Sequence, residues 1–151
     1  MALTTPDLFP RTGAIIGIDP GSKTLGIAAC DHLRIIASPV EIIRRGKKLG
    51  PALTRLFELY DDRSAVGLVI GLPLNMDGSE GPRVQSARAL AHNILQHRDL
   101  PIILQDERLS SAEAERAMIA ADLSRKRRHE LIDSSAASII LKAAMERLAH
   151  L

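Results

Sequence analysis

Residues 14–30 read AIIGIDPGSKTLGIAAC: an apolar run that stops at Asp19, a break at Pro20-Gly21-Ser22-Lys23, and a second apolar run ending at Cys30. Two strand-length runs joined by so short a break predict an antiparallel hairpin, because parallel neighbours need a crossover of roughly a dozen residues or more. Within the break, proline presets φ at the second turn position, and Gly21 is expected to take positive φ at the third. Asp19 is thereby left at a strand end, held on a rigid element yet open to solvent. A carboxylate so placed suits a metal ligand or a general base. The position equally suits an aspartate that merely opens a turn, and this segment alone leaves the two readings level.

Working outward, a third apolar run at 33–43 follows Asp31-His32 and extends the hairpin into a three-stranded antiparallel meander of 14–19, 24–30 and 33–43. Leu49, Leu53, Leu56, Phe57 and Tyr60 keep helical spacing and predict a helix over 48–61. AVGLVIG at 65–71 is continuously apolar, the mark of a strand buried on both faces. A Gly/Pro-rich loop occupies 72–82, after which helical spacing resumes through Val84, Ala87, Ala91, Ile94 and Leu95. LPIILQ at 100–105 is a further buried strand, ending at Asp106-Glu107-Arg108. Ser110 and Glu113 form a capping box that starts a third helix running to about Leu123. A last helix is expected over about 129–149, with Ile132, Ala136, Ile139, Ile140 and Ala143 on one face. The order β-β-β-α-β-α-β-α-α is that of an α/β fold whose later strands are parallel, joined by right-handed crossovers. Residues 1–12 carry two prolines and no periodicity and read as a flexible tail, leaving 13–151 as a single domain.

A chain of 151 residues is large enough for one real core and too small for two ordinary domains. Its cations are unevenly placed: Arg44, Arg45, Lys47 and Lys48 form one cluster, and Arg125, Lys126, Arg127 and Arg128 another. Such clusters contact phosphates or simply solvate loops beside helices. Aromatic residues are confined to Phe9, Phe57 and Tyr60. That disfavours base stacking as a mode of single-strand binding and points to recognition of backbone and shape. The lone Cys30 excludes an intrachain disulfide and a cysteine metal cluster, and the five histidines lack ligand spacing, so zinc is not expected. The apolar runs fall well short of the roughly 20 residues of a membrane span, and the N-terminus lacks the layout of a secretory signal. A cytoplasmic protein without membrane partners is expected.

In a sheet of this kind ligands bind beyond the carboxyl ends of the parallel strands. Asp19 ends the first strand and Asp106-Glu107 ends the last; alternation sends these two acids to opposite faces, and Glu107 is preferred. Asp133 lies early in the final helix, one turn before Ala136 and Ala137, whose small side chains would let that helix approach the sheet. Carboxylates gathered in this way repel one another and call for hard cations, Mg²⁺ or Mn²⁺. A pair of such ions activates water and stabilises the leaving oxygen in phosphodiester cleavage. Singly, Asp106, Glu107 and Asp133 also read as helix-entry charges favoured by the helix dipole; the joint placement of the acids favours a site. The loop GLPLNMDGSEGPR (71–83) is long enough to suggest function. Backbone N–H groups near Gly78 and Gly81, with Arg83, are expected to meet a phosphate at the following helix N-terminus; an elaborate helix entry with Pro82 in its first turn is the plainer reading. Lys23, Asn75 and Arg108 are further candidates for nucleic-acid contact.

Four motifs together carry a resemblance: GIDPGSKTLGIA at 17–28, VIGLPLNMDGSEGPR at 69–83, DERLS at 106–110 and LSRKRRHELIDSSAA at 123–137. Over roughly residues 14–148 the chain resembles the YqgF/RuvX family, nucleases of pre-16S rRNA with a ribonuclease H-like fold, also described as Holliday-junction resolvases. The resemblance implies a five-stranded mixed sheet, order 3-2-1-4-5, flanked by helices. It also implies Asp19, Glu107 and Asp133 as the catalytic, metal-holding acids. In resolvases of the RuvC type a glutamate ends the fourth strand, where this chain has Gly71-Leu72-Pro73, so here the acid comes from the fifth. The implied activity is endonucleolytic processing of the 5′ end of precursor 16S rRNA, in association with the ribosome, by a monomer or homodimer. Two alternatives stand beside it: a DNase resolving branched DNA, which needs paired incisions and hence a dimer, and a non-catalytic nucleic-acid-binding module. The DPGSKTLG turn also resembles that of actin-like ATPases, but those need two such domains around a nucleotide, and this chain supplies one.

Overall fold

The apolar runs become the strands of one sheet. A computed structural model describes residues 3–75, 77–107 and 125–151, the last segment with side chains from Ala136 onward. Strands β1 (Ala14–Pro20), β2 (Thr24–Cys30) and β3 (Ala37–Arg44) are followed by helix α1 (Gly50–Asp62). Then come β4 (Ala65–Leu72), α2 (Pro82–His97), β5 (Ile102–Asp106) and α3 (Arg125–Ala149). The sheet order is β3-β2-β1-β4-β5. The first three strands form the antiparallel meander, and β1–β4 and β4–β5 pair in parallel.

Because successive side chains leave a strand on opposite faces, each central run feeds two cores at once. Ile16, Ile18, Leu68, Ile70 and Ile102 pack with Leu53 and Leu56 of α1 and with Leu90 and Ile94 of α2. Ile15, Ala28, Cys30, Val69 and Ile103 pack on the other face against Ala137, Ile140, Leu141 and Ala144 of α3. The result is three layers with the sheet in the middle. The α3 layer sits close because β1 offers it no side chain at Gly17: a β-carbon there would stand 2.9 Å from Leu141 Cβ and 3.2 Å from the Ala137 carbonyl oxygen.

Several expectations change. Gly21 is not among the residues with positive φ. Its smallness serves a close approach, since its N–H donates to the Thr24 carbonyl at 2.9 Å and a β-carbon would come within 2.7 Å of that oxygen. β3 starts at Ala37 instead of 33. Asp31 Oδ1 accepts the N–H groups of Ile35 and Ile36 at 2.8 and 2.9 Å and Arg34 has φ of 56°, so the chain turns here. Ile35 and Ile36, 69% and 63% exposed, imitate a strand in sequence without being one. The basic segment 125–128 lies inside α3 rather than ahead of it. The third helix expected over 110–123 lies outside the described residues. Residues 3–12, read as a flexible tail, lie against the sheet: Thr4 N–H donates to the Ile102 carbonyl at 2.9 Å and Phe9 is 3% exposed. Among the described residues no helix is long and apolar enough to cross a membrane.

Candidate active site

Asp19 sits at the penultimate position of β1, half-buried, on the face that meets α3, two residues beyond Gly17. Its partner across β2 is Gly26. On its other side the β1–β4 register runs to Ile18↔Ile70, so the next step sets Gly71 beside it. Asp19 therefore stands between two strand positions without side chains.

Glu107 follows the last residue of β5, and its N–H donates to the Leu72 carbonyl at 3.2 Å, adding one rung beyond the ladder. Its side chain is 7% exposed and turns back over β4: a β-carbon built on Gly71 would overlap Glu107 Oε2. That oxygen is buried and, among the described residues, accepts no hydrogen bond. Burial pushes the carboxyl up to about 7, the charge of Asp19 adds to the rise, Arg83 opposes it, and Asp106 adds a little more. A carboxylate desolvated next to another is stabilised by either a proton or a hard cation. The donor set is all oxygen, which fits Mg²⁺ or Mn²⁺ and not the thiolate or imidazole chemistry of zinc.

Asp133 lies in α3, four positions before Ala137, whose carbonyl packs over Gly17; its side chain lies outside the described residues. Among the described residues no three potential ligands cluster, so the described part of the site is the Asp19–Glu107 pair.

The basic and loop residues divide. Arg83 is exposed in the first turn of α2, and its charge is felt at Glu107. Lys23 is exposed in the turn after Asp19, and its carbonyl accepts the Arg45 N–H at 2.8 Å. Arg45 Nη1 in turn donates to the Gly21 carbonyl at 2.8 Å, which brings the cluster after β3 to the turn that follows Asp19. Asn75 is exposed but engaged within its own loop, its side-chain amide donating to Ser79 Oγ at 3.0 Å. Ser79 donates twice to Asp77 Oδ1, from N at 2.9 Å and from Oγ at 2.6 Å. The expectation that the Gly78 N–H meets a phosphate is corrected: it donates to the Asn75 carbonyl at 2.8 Å, closing a turn with Gly78 at φ of 86°. Arg108 lies outside the described residues, as do the side chains of Arg125, Lys126, Arg127 and Arg128. Two contributors escaped the reading of individual residues. Arg45 enters the sequence reading only within a charge run, and Gly71 only as a strand end and loop start that lacks the glutamate of RuvC-type resolvases; a glycine inside an apolar strand can mark a close approach.

A mixed sheet in the order 3-2-1-4-5 with helices on both faces defines a ribonuclease H-like fold. Two solved structures share that fold. T. thermophilus RuvC in complex with a Holliday junction substrate aligns with a TM-score of 0.57 at 13% identity, covering 91% of this chain and 96% of that one. The yeast mitochondrial Holliday junction resolvase aligns at 0.51 and 12%, covering 94% and 82%. The chain belongs to the RuvX family, whose model, described as "Holliday junction resolvase", matches residues 13–147. Among its relatives, proteins named "Putative pre-16S rRNA nuclease" are 55% identical in Rhodobacter capsulatus, over 95% of this chain and 89% of that protein, and 53% identical in Paracoccus denitrificans, over 98% and 93%. The family is one of nucleases, enzymes that hydrolyse phosphodiesters.

Proposed function

We propose that this protein is a divalent-cation-dependent endonuclease that trims the 5′ side of precursor 16S rRNA in the cytoplasm, in association with the ribosome. The observation that carries the chemistry is the buried Glu107 oxygen without a hydrogen-bond donor, held on the same sheet edge as Asp19. The RNA substrate is supported by the names of the relatives. Asp19, Glu107 and Asp133 would hold Mg²⁺ or Mn²⁺, which supplies an activated water and charge stabilisation for the leaving oxygen. Asp19 anchors the set from a rigid strand. Glu107, whose carboxyl burial raises to about 7, would offer the cation an oxygen that accepts no hydrogen bond among the described residues. Arg83, Lys23 and Arg45 border these acids and would hold the phosphate backbone in line, with Arg108 and the basic start of α3 as further contacts.

Asp19→Asn in the purified protein is expected to abolish cleavage of a precursor fragment spanning the 5′ processing site while leaving the circular dichroism spectrum and Tm essentially unchanged. Undiminished cleavage by that variant would refute the mechanism. The family's description favours a second reading, incision of branched DNA. A four-way DNA junction assayed beside the RNA separates the two, since resolution needs symmetric cuts by a dimer whereas trimming does not.

A further inference from the structure

We propose that Gly71 is a positioning residue of this site: the side chain it lacks is the space in which the Glu107 carboxylate is held towards Asp19. The proposal rests on the reading of Glu107 as a metal-holding acid and explains how that acid gets there. In the sheet β4 separates β1 from β5, so an acid at the end of β5 reaches Asp19 only by crossing β4. The register pairs Gly71 with Gln105 and Leu72 with Asp106, which puts Gly71 on the strand being crossed. The Glu107 backbone is fixed by its N–H bond to the Leu72 carbonyl, so the course of its side chain follows the room available above the sheet.

That room is the missing β-carbon. A methyl group on Gly71 would overlap Glu107 Oε2, stand 3.2 Å from Glu107 Cδ and 2.7 Å from Ile140 Cδ1. No backbone requirement competes as an explanation, because Gly71 lies inside β4 and is not among the residues with positive φ. A glycine in a strand interior weakens the strand and marks a bulge, a bend or a close approach; here the β4 register is regular through Gly71 and the close approach is that of Glu107. The carboxylate end of Glu107 is flexible, so a methyl at position 71 displaces the acid more readily than it breaks the fold. Ile140 Cδ1, also the end of a flexible side chain, gives way whether or not Glu107 is present.

The test is a double-mutant cycle on the full-length chain with Gly71→Ala, Glu107→Ala and both together, read by Mn²⁺ titration calorimetry and by thermal melts in EDTA. Gly71→Ala is expected to weaken Mn²⁺ binding by about 10- to 100-fold, the usual consequence of disturbing a ligand's support. The double variant should bind no more weakly than Glu107→Ala alone, and Gly71→Ala should lower Tm less when residue 107 is alanine. Wild-type Mn²⁺ affinity in Gly71→Ala, with affinity lost in Glu107→Ala, overturns the proposal and leaves the metal reading intact. Equal losses of Tm in both backgrounds also overturn it, since Gly71 would then serve only the backbone. If neither single variant weakens Mn²⁺, the metal reading fails and takes this proposal with it. Should Gly71→Ala not fold, recovery of folding in the double variant supports the proposal and failure there refutes it.

Discussion

At the scale of the residue, Glu107 is where stability and chemistry conflict. Its ionised form is disfavoured by burial and by Asp19, so its folded-state value of about 7 lies above the 4.5 of an ordinary glutamate. A raised acid stabilises the fold fully below its unfolded value, and that stability is lost as pH rises through the folded one. Without metal the protein should therefore weaken between about pH 4.5 and 7, by about 3 kcal/mol at about 1.4 kcal/mol per pH unit. Glu107→Gln is expected to be more stable than wild type at pH 8 in EDTA and indistinguishable from it near pH 4.5. Superimposable stability profiles from urea titrations across that range would show that Glu107 is not strained. Strand alternation sends Asp106 and Glu107 to opposite faces and favours Glu107, and the structure sets the Glu107 carboxylate over Gly71 within reach of the charge of Asp19. Alternation does not show how the carboxylate passes over β4, because that depends on the space left at Gly71, which is distant in the chain.

At the scale of the element, the site depends on how closely α3 lies on β1. Its sheet-facing stripe is Ala137, Ile140, Leu141 and Ala144; spacing put Ile132, Ala136, Ile139, Ile140 and Ala143 on one face, of which Ile140 is shared and Ala136 is also fully buried. Periodicity shows that a helix has an apolar face, but which of two adjoining stripes is inserted is set by the surface it meets. Here that surface is shallow at Gly17, where a β-carbon would press on Leu141 Cβ and the Ala137 carbonyl. Unlike a carboxylate tip, these atoms belong to the body of the helix and cannot swing aside. Gly17→Ala is accordingly expected to cost about 1–3 kcal/mol in urea unfolding, the usual penalty for overpacking. It should also weaken Mn²⁺ binding, because α3 carries Asp133. Unchanged stability would mean that α3 has slack above β1.

At the scale of the whole molecule, the two faces of the sheet divide the work. The α1–α2 side holds the larger aliphatic cluster, while the α3 side carries small residues and, at one end, the acids. The N-terminal segment closes the α3 side. Phe9 covers Gly67, where a β-carbon would come 2.7 Å from its Cε2, and the Arg34 guanidinium lies 5.8 Å from the ring centroid. Arg34 also donates to the Gly13 carbonyl at 2.9 Å and to the Pro10 carbonyl at 2.6 Å. Phe9→Ala should cost about 3 kcal/mol in urea unfolding, as expected for truncating a buried aromatic. A loss under about 1 kcal/mol would show that the segment adds little to the core. In sequence this segment reads as a flexible tail because a single buried ring among prolines leaves no periodic trace.

The strand order came with the family resemblance; the patterning of the sequence itself determined the antiparallel start, the parallel finish and the placing of Asp19 and Glu107 at strand ends. The latter features follow from local rules: apolar run length, alternation and the length of each connection. Only the tertiary structure decided that Glu107 crosses a neighbouring strand over Gly71, that Arg45 caps the turn after Asp19, and that Phe9 belongs to the core. Each of these depends on vacant volume or a backbone carbonyl supplied by a residue far away in the chain, and neither leaves a mark in composition or periodicity.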